Sequence, residues 1–221
     1  TRTPRETGEL VADLCARRLP GSYGYSPLRD IQVIAPGKQG AAGTRELNRL
    51  LQQRLNPPDR SKSQTESFGR ALREGDKVMQ IRNNYDVVWT NDQGEQGQGV
   101  FNGDIGVIEM IDPPSKTILV RYDDLLVPYP FDAADQLEHA YAITIHKSQG
   151  SEFEAVVLPL MGCHPNLLYR NLLYTGFTRA KSLLIVAGSR TEVAAMVRNN
   201  RRTLRYTNLR AMLEEQCAQP L

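Results

Sequence analysis

Two short segments hold most of the residues whose chemistry points beyond folding. The first is Thr144-Ile-His-Lys-Ser-Gln-Gly-Ser-Glu-Phe153, which follows a buried-looking strand and precedes another. Threonine, histidine, lysine, serine and glutamine around one glycine offer many donors to phosphate oxygens, and Glu152 can accept from a sugar hydroxyl. The second is Leu173-Tyr-Thr-Gly-Phe-Thr-Arg-Ala-Lys181, in which Arg179 stands just before a strand. An arginine there can neutralise charge on a transferring phosphoryl group, an effect worth about 10³ to 10⁵ in rate. Each segment also has a plain structural reading: a solvated turn for the first, and cations complementing a helix C-terminus for about 0.3 to 1 kcal/mol for the second.

The elements around these segments alternate. Leu10, Val11, Leu14 and Leu19 recur at helical spacing, and Pro20-Gly21 is expected to stop that helix. Ile31–Ala35 reads as a buried strand feeding a glycine-rich loop at 36–43 that carries Lys38, and Thr44 is placed to cap a helix striped by Leu47, Leu50, Leu51 and Leu55. From Asp76 the pattern changes to short valine- and isoleucine-rich runs separated by turn residues, the signature of a small antiparallel barrel set into a larger fold. After Gln136 strands and helices alternate again, and Ser189-x-x-Glu192 reads as a capping box. Leu209, Met212 and Leu213 suggest a last short helix. The fold expected is a parallel-sheet α/β domain interrupted by a β module at 86–130, with 1–85 and 131–221 forming the α/β part.

Composition excludes several classes. The 221 residues are 40% hydrophobic and 24% charged, which is too apolar for wholesale disorder. No apolar run reaches the roughly 18 residues of a membrane helix, so no membrane partner is expected and the cytosol is the expected compartment. Lys plus Arg number 27 against 25 for Asp plus Glu, so any polyanion site must be local. Cys15, Cys163 and Cys217 lie far apart, and with three histidines they form no metal-ligand spacing. The neighbours Cys163-His164 read as structural rather than as a thiol catalyst. Asp123-Asp124 reads as a turn, not a magnesium site.

Taken together, IHKSQGSEF and LYTGFTRAK in this order resemble motifs V and VI of superfamily 1 helicases. IQVIAPGKQGAAGTRELNRLLQQRLNP resembles the motif IV region of a RecD-like DNA helicase, and GDKVMQIRNNYD and VFNGDIGVI resemble the segments flanking that family's inserted barrel. The resemblance implies a second RecA-like motor domain with an inserted SH3-like barrel, acting in ATP-driven 5′ to 3′ translocation on single-stranded DNA. It implies Arg179 as the γ-phosphate arginine, Glu152 as the ribose contact, Gly150 as the tight turn, and Gln149 and Lys38 as further ATP contacts. Thr144, His146, Lys147, Ser148, Asn83 and Asn84 are implied as DNA contacts.

No G-x-x-x-x-G-K-[ST] occurs in the chain. The expected cofactor, ATP with Mg²⁺, would therefore be held mainly by a separate N-terminal RecA-like domain, the expected partner besides single-stranded DNA, and this chain alone is expected to be inactive. A binding-only module for DNA or protein, using Arg198, Arg201, Arg202, Arg205 and Arg210 as a basic strip, is the alternative. Among the aromatics near the barrel strands, Tyr85, Trp89, Phe101 and Tyr122, Phe101 and Tyr122 are expected in the core, while Trp89 stays open between core and base stacking.

Overall fold

A computed structural model of the protein describes residues 1–200 together with Asn208, Met212 and Leu213. Helix α1 (Pro4–Asp13) opens on Thr3, whose side chain accepts from the Glu6 amide, and carries Pro4 in its first turn, where a missing N–H costs nothing. One turn of π-helix (Leu14–Arg18) leads straight into α2 (Leu19–Tyr23). The expected stop at Pro20-Gly21 moves to Gly24. Pro20 falls in the first turn of α2, where it is tolerated, and Gly24 supplies the left-handed residue (φ 71) that ends the helix.

Strand β1 (Ile31–Ala35) is buried at every position, and α3 (Thr44–Leu55) follows it. The N-cap of α3 is Gly43; Thr44 is its first helical residue and is buried. A hairpin of β2 (Gln64–Ser67) and β3 (Arg70–Arg73) comes next, unsignalled by hydrophobic alternation because its residues are largely polar. Then come β4 (Lys77–Gln80), β5 (Asn84–Asn91), β6 (Gln96–Val100), β7 (Ile105–Asp112), β8 (Thr117–Tyr122), β9 (Leu125–Pro130) and β10 (Leu137–His139). These are followed by β11 (Ala142–Thr144), β12 (Phe153–Leu160), α4 (Arg170–Phe177), β13 (Ala180–Gly188) and α5 (Arg190–Arg198). Of the expected last helix, Met212 and Leu213 are helical, with the Met212 amide donating to the Asn208 carbonyl at 3.0 Å, while Leu209 lies outside the described residues, as do Arg201, Arg202, Arg205 and Arg210 of the basic strip.

Strands β11, β1, β12 and β13 lie in that order in one parallel sheet. Alternate residues of each strand face opposite layers. Val33, Ala35, Ala155 and Val157 pack with Val11, Leu14, Leu47 and Leu51 of α1, the π-turn and α3. Ile34, Val156 and Leu158 pack with Leu172, Leu173 and Met196 of α4 and α5. Both faces are covered, which is why these strands read as largely apolar runs and not as strict alternation. Ser189 accepts from the Thr191 amide, but Glu192 does not complete a capping box: its carboxylate takes the amides of Gly162 and Cys163 instead.

The remaining seven strands form an antiparallel sheet in the order β10-β4-β7-β8-β9-β5-β6. Val100 and Leu137 from its two end strands meet Ile108, Ile118, Val120 and Val127 in a single interior, so the sheet wraps one core. It draws on residues beyond 86–130 at both ends, because β4 and β10 pair with each other and β4 with β7. Inside, Tyr129 donates to Gln80 and pairs with the Tyr122 hydroxyl, which satisfies groups that burial would otherwise leave stranded. Burial also pushes the Tyr129 phenol up to about 12.

The two units are tied by Asp76, whose side chain is fully buried. Its carboxylate accepts from Asn56 (2.7 Å), Tyr141 (2.9 Å), Gln52 (2.7 Å) and the Arg73 amide (2.8 Å), and lies 3.2 Å from His139 Nε2. Burial alone would raise its pKa; the His139 contact and the donated hydrogen bonds outweigh that and hold it below the ordinary carboxylate value. A depressed folded pKa stabilises the fold above the unfolded carboxylate range near pH 4, and that stability is lost as pH falls through the folded value. Asp76→Ala is expected to cost about 3–5 kcal/mol, since it strands several buried donors. Asp76→Asn should flatten the acid-side fall of stability. Urea unfolding as a function of pH checks both.

Candidate functional site

Because the four strands run parallel, their sheet has one rim where strands begin and one where they end. Thr144 at the end of β11 lies level with Ala35, whereas Ala155 near the start of β12 lies level with Ile31. The connection 145–152 therefore runs back along the sheet by the span from Ile31 to Ala35, about 13 Å at roughly 3.3 Å per residue. It joins the two rims directly.

At the beginning rim, Arg179 and the stretch from Gly150 to Glu152 come together. Arg179 donates from Nη1 to the Ser151 carbonyl (2.9 Å), from Nε to the Thr175 carbonyl (3.1 Å) and from Nη2 to the Thr178 hydroxyl (3.1 Å). The Phe153 amide donates back to the Arg179 carbonyl at 2.8 Å. All three partners of the guanidinium are neutral, and among the described residues no carboxylate pairs with it. Its position is fixed, its charge is uncompensated, and donors of its five N–H groups remain to spare. Glu152 and Gln149 are exposed, and Glu152 lies between Ser151 and Phe153, the two residues whose backbone bonds Arg179. Gly150 has φ 92 with nothing within 4 Å of a would-be Cβ, so glycine is required there by backbone conformation and not by crowding.

At the ending rim, the expected DNA contacts divide. His146 is exposed, with Nε2 3.4 Å from the Tyr169 hydroxyl. Thr144 is almost wholly buried, and its hydroxyl accepts from the Lys147 amide. Ser148 corrects the expectation: it is fully buried and donates to the Ile145 carbonyl at 2.8 Å, so it pins the turn from within and does not face outward. The Lys147 ammonium is held by Glu138 at 2.7 Å. Burial would raise the Glu138 pKa, but Lys147, aided by the fields of Lys38 and Arg70, lowers it overall.

Lys38 lies three residues past the end of β1 and lines a cleft with Thr144, Lys147 and Glu138. That places it at the ending rim, away from Arg179. The expected grouping with the ATP contacts is not what the tertiary structure makes, because parallel strands put the loop after β1 and the residue before β13 at opposite rims. Asn84 uses its carbonyl oxygen on the Asp86 and Val87 amides, a turn role, and its amide on Gln136. Asn83 accepts from the Asn102 amide and donates to the Tyr85 hydroxyl.

Tyr122 is buried as expected, but Phe101 is 48% exposed and meets the exposed Tyr85 edge-on, with centroids 5.8 Å apart. Trp89 packs on the barrel interior, and its ring covers Gly97 on the paired strand so closely that a Cβ there would meet it at 2.2 Å. Burial, reinforced by Glu192, pushes the Cys163 thiol up to about 12, which suits a structural cysteine. Asp123 (φ 48) sits in the turn between β8 and β9, and no metal-binding cluster occurs among the described residues. Sequence reasoning missed Phe68 at the β2–β3 tip; an aromatic-glycine pair flanked by polar residues was its only local signal.

The fold is RecA-like, with an SH3-like barrel inserted in it. Residues 47–122 match the model of the ATP-dependent RecD-like DNA helicase SH3 domain, and residues 139–187 match the UvrD-like helicase C-terminal domain. The chain belongs to the RecD-like helicases of superfamily 1, of which it represents a C-terminal region. It is 32% identical over 184 residues to the ATP-dependent RecD2 DNA helicase of Deinococcus radiodurans, a match covering 82% of this chain and 24% of that protein. It is 34% identical over 128 residues to the RecBCD enzyme subunit RecD of Mycobacterium tuberculosis, covering 58% of this chain and 21% of that one. The chain thus spans about a quarter or less of these relatives' length. A crystal structure of Pif1 helicase from Bacteroides in complex with ADP-AlF3 and ssDNA shares the fold at 18% identity, with a TM-score of 0.51 over 95% of this chain and 49% of that one. No helix of the described residues is long and apolar enough to cross a membrane.

The internal role of Ser148 is directly testable. Ser148→Ala is expected to destabilise the fold by about 1 kcal/mol, the worth of a buried hydroxyl-to-carbonyl bond. Unchanged urea stability would return the hydroxyl to the surface.

Proposed function

We propose that the chain is the second motor lobe of an ATP-driven DNA helicase, with nucleotide at the rim of Arg179 and single-stranded DNA at the rim of Thr144 and His146. The observation that carries this reading is the fixed guanidinium of Arg179, held by neutral partners on the connection that carries exposed Glu152. That pair fits a nucleoside triphosphate: Arg179 has spare donors for γ-phosphate oxygens and Glu152 can accept from a ribose hydroxyl. Gln149 stands near enough in sequence to assist, and Gly150 gives the turn its shape. Lys38 is not assigned to nucleotide in this reading.

ATP with Mg²⁺ would supply the phosphoanhydride whose hydrolysis drives movement, held mainly by a first RecA-like domain. This chain's residues hold one wall of that cleft. Arg179 presents positive charge toward it, and the buried Ser148 keeps the 145–152 connection stiff. A shift of the beginning rim on cleft closure is thereby passed to His146 and Thr144 at the other rim, which gives the coupling between nucleotide and DNA. The relatives' names as DNA helicases support this reading, and translocation 5′ to 3′ belongs to it by family resemblance. The division proposed with it makes the barrel one unit and the residues on either side the motor lobe.

The 221-residue chain alone should hydrolyse ATP negligibly and bind a single-stranded oligonucleotide weakly. In the full-length protein, Arg179→Ala should lower DNA-stimulated ATP hydrolysis by about 10³-fold or more while leaving oligonucleotide affinity within a few-fold. Full hydrolysis by that variant would remove Arg179 from the nucleotide site and favour a binding-only module.

A further inference from the structure

The tip of the β2–β3 hairpin is built against its own folding preference. Ser67 and Arg70 form the last strand pair, so Phe68-Gly69 is a two-residue loop, and both residues have positive φ (51 and 72). Such a loop favours asparagine or glycine at its first position. A bulky aromatic is poorly suited to that conformation, and this one also leaves 69% of its surface exposed. Neither hairpin stability nor core packing accounts for Phe68.

The ring stands over a groove of about 620 Å³ between the hairpin and α3. Five cationic side chains line the groove against one carboxylate, Glu138, which is already bonded to Lys147. Arg49 is paired with Glu46, and Arg73 donates to Gln64 and to the Asn56 carbonyl. Lys38, Arg45 and Arg70 have no ion pair among the described residues, and Lys38 and Arg70 act on Glu138 only through their fields, so all three can still meet an outside anion. The groove continues into the narrow cleft of Thr144 and Lys147, since Lys38, Thr44, Glu138 and His139 line both. A polyanion lying on the ending rim therefore has an unbroken basic path toward Phe68.

We propose that this groove is a subsite for single-stranded DNA, with phosphates on Lys38, Arg45 and Arg70 and one base stacked on Phe68. Phosphate contacts and stacking together recognise a flexible strand without reading its sequence, and a splayed base is available only in a single strand. The proposal rests on the reading that DNA lies along the Thr144 rim, and extends that track onto α3 and the hairpin.

The test measures binding of a labelled oligothymidylate to the protein by fluorescence anisotropy across a salt series. Phe68→Asn supplies the residue the loop prefers, so its melting temperature should equal or exceed that of the unaltered protein. Its affinity should nevertheless fall about 5- to 150-fold, the range of one lost base stack. Phe68→Trp should bind as the unaltered protein does. Arg70→Gln should reduce the slope of log affinity against log salt by about 0.7, one phosphate contact to a single strand. If Phe68→Asn and Arg70→Gln bind normally while His146→Ala weakens binding, the subsite is overturned and DNA on the rim stands; the hairpin is then left for a protein partner. If none of the three weakens binding, the rim reading falls with it.

Discussion

One buried carboxylate holds the architecture in register. Asp76 sits where the chain leaves the hairpin and enters the barrel, and its partners come from α3, from the β3–β4 turn and from the His139–Tyr141 link between barrel and parallel sheet. A buried charge is tolerable only when hydrogen bonds replace the water it lost, and here nearly every lone pair is engaged. The contacts act in one direction: α3 cannot shift, the barrel cannot rotate on β4 and β10, and the hairpin cannot lift without leaving donors or the carboxylate unsatisfied. The relative placement of the parallel sheet, barrel and basic groove follows from that point.

Within this frame, the parallel sheet separates two groups of polar side chains by the length of a short strand. Arg179 and Glu152 belong to one rim, Thr144, His146 and Lys38 to the other, and the 145–152 connection spans the gap. Its interior anchor is Ser148, while its exit needs the positive φ of Gly150. A polar segment that looks like a single loop is thus a strut with one end at each rim. In the proposed motor, such a strut passes displacement between the rims because its middle is pinned to the core.

Local charge compensation distinguishes residues that a sequence motif treats alike. Lys147 is neutralised by Glu138, and Arg49 by Glu46. Arg179 is held by neutral carbonyls and a hydroxyl, and Lys38, Arg45 and Arg70 stand without ion pairs among the described residues. A chain with a formal charge of only +2 can therefore carry both a fixed arginine without an ion pair among the described residues and a basic groove. What matters to a polyanion is the unpaired charge within a Debye length, not the total.

Much of this was legible in the residues. The largely apolar run Ile31–Ala35 specifies a strand covered on both faces, the valine-rich alternation from Val78 to Tyr129 specifies an antiparallel module, and the two polar segments ending at Phe153 and Lys181 mark both sides of one strand pair. These signals are local: side-chain period, turn chemistry and short motifs are set by neighbours in the chain. Tertiary structure decided the rest. Ser148 turned inward and Phe101 outward, Lys38 fell on the rim opposite Arg179, Glu192 left its capping box, and the barrel took in β4 and β10. Each outcome depends on a partner distant in sequence, as Asp76 depends on Tyr141 65 positions away, and no local pattern encodes which distant backbone or charge will arrive beside a given side chain.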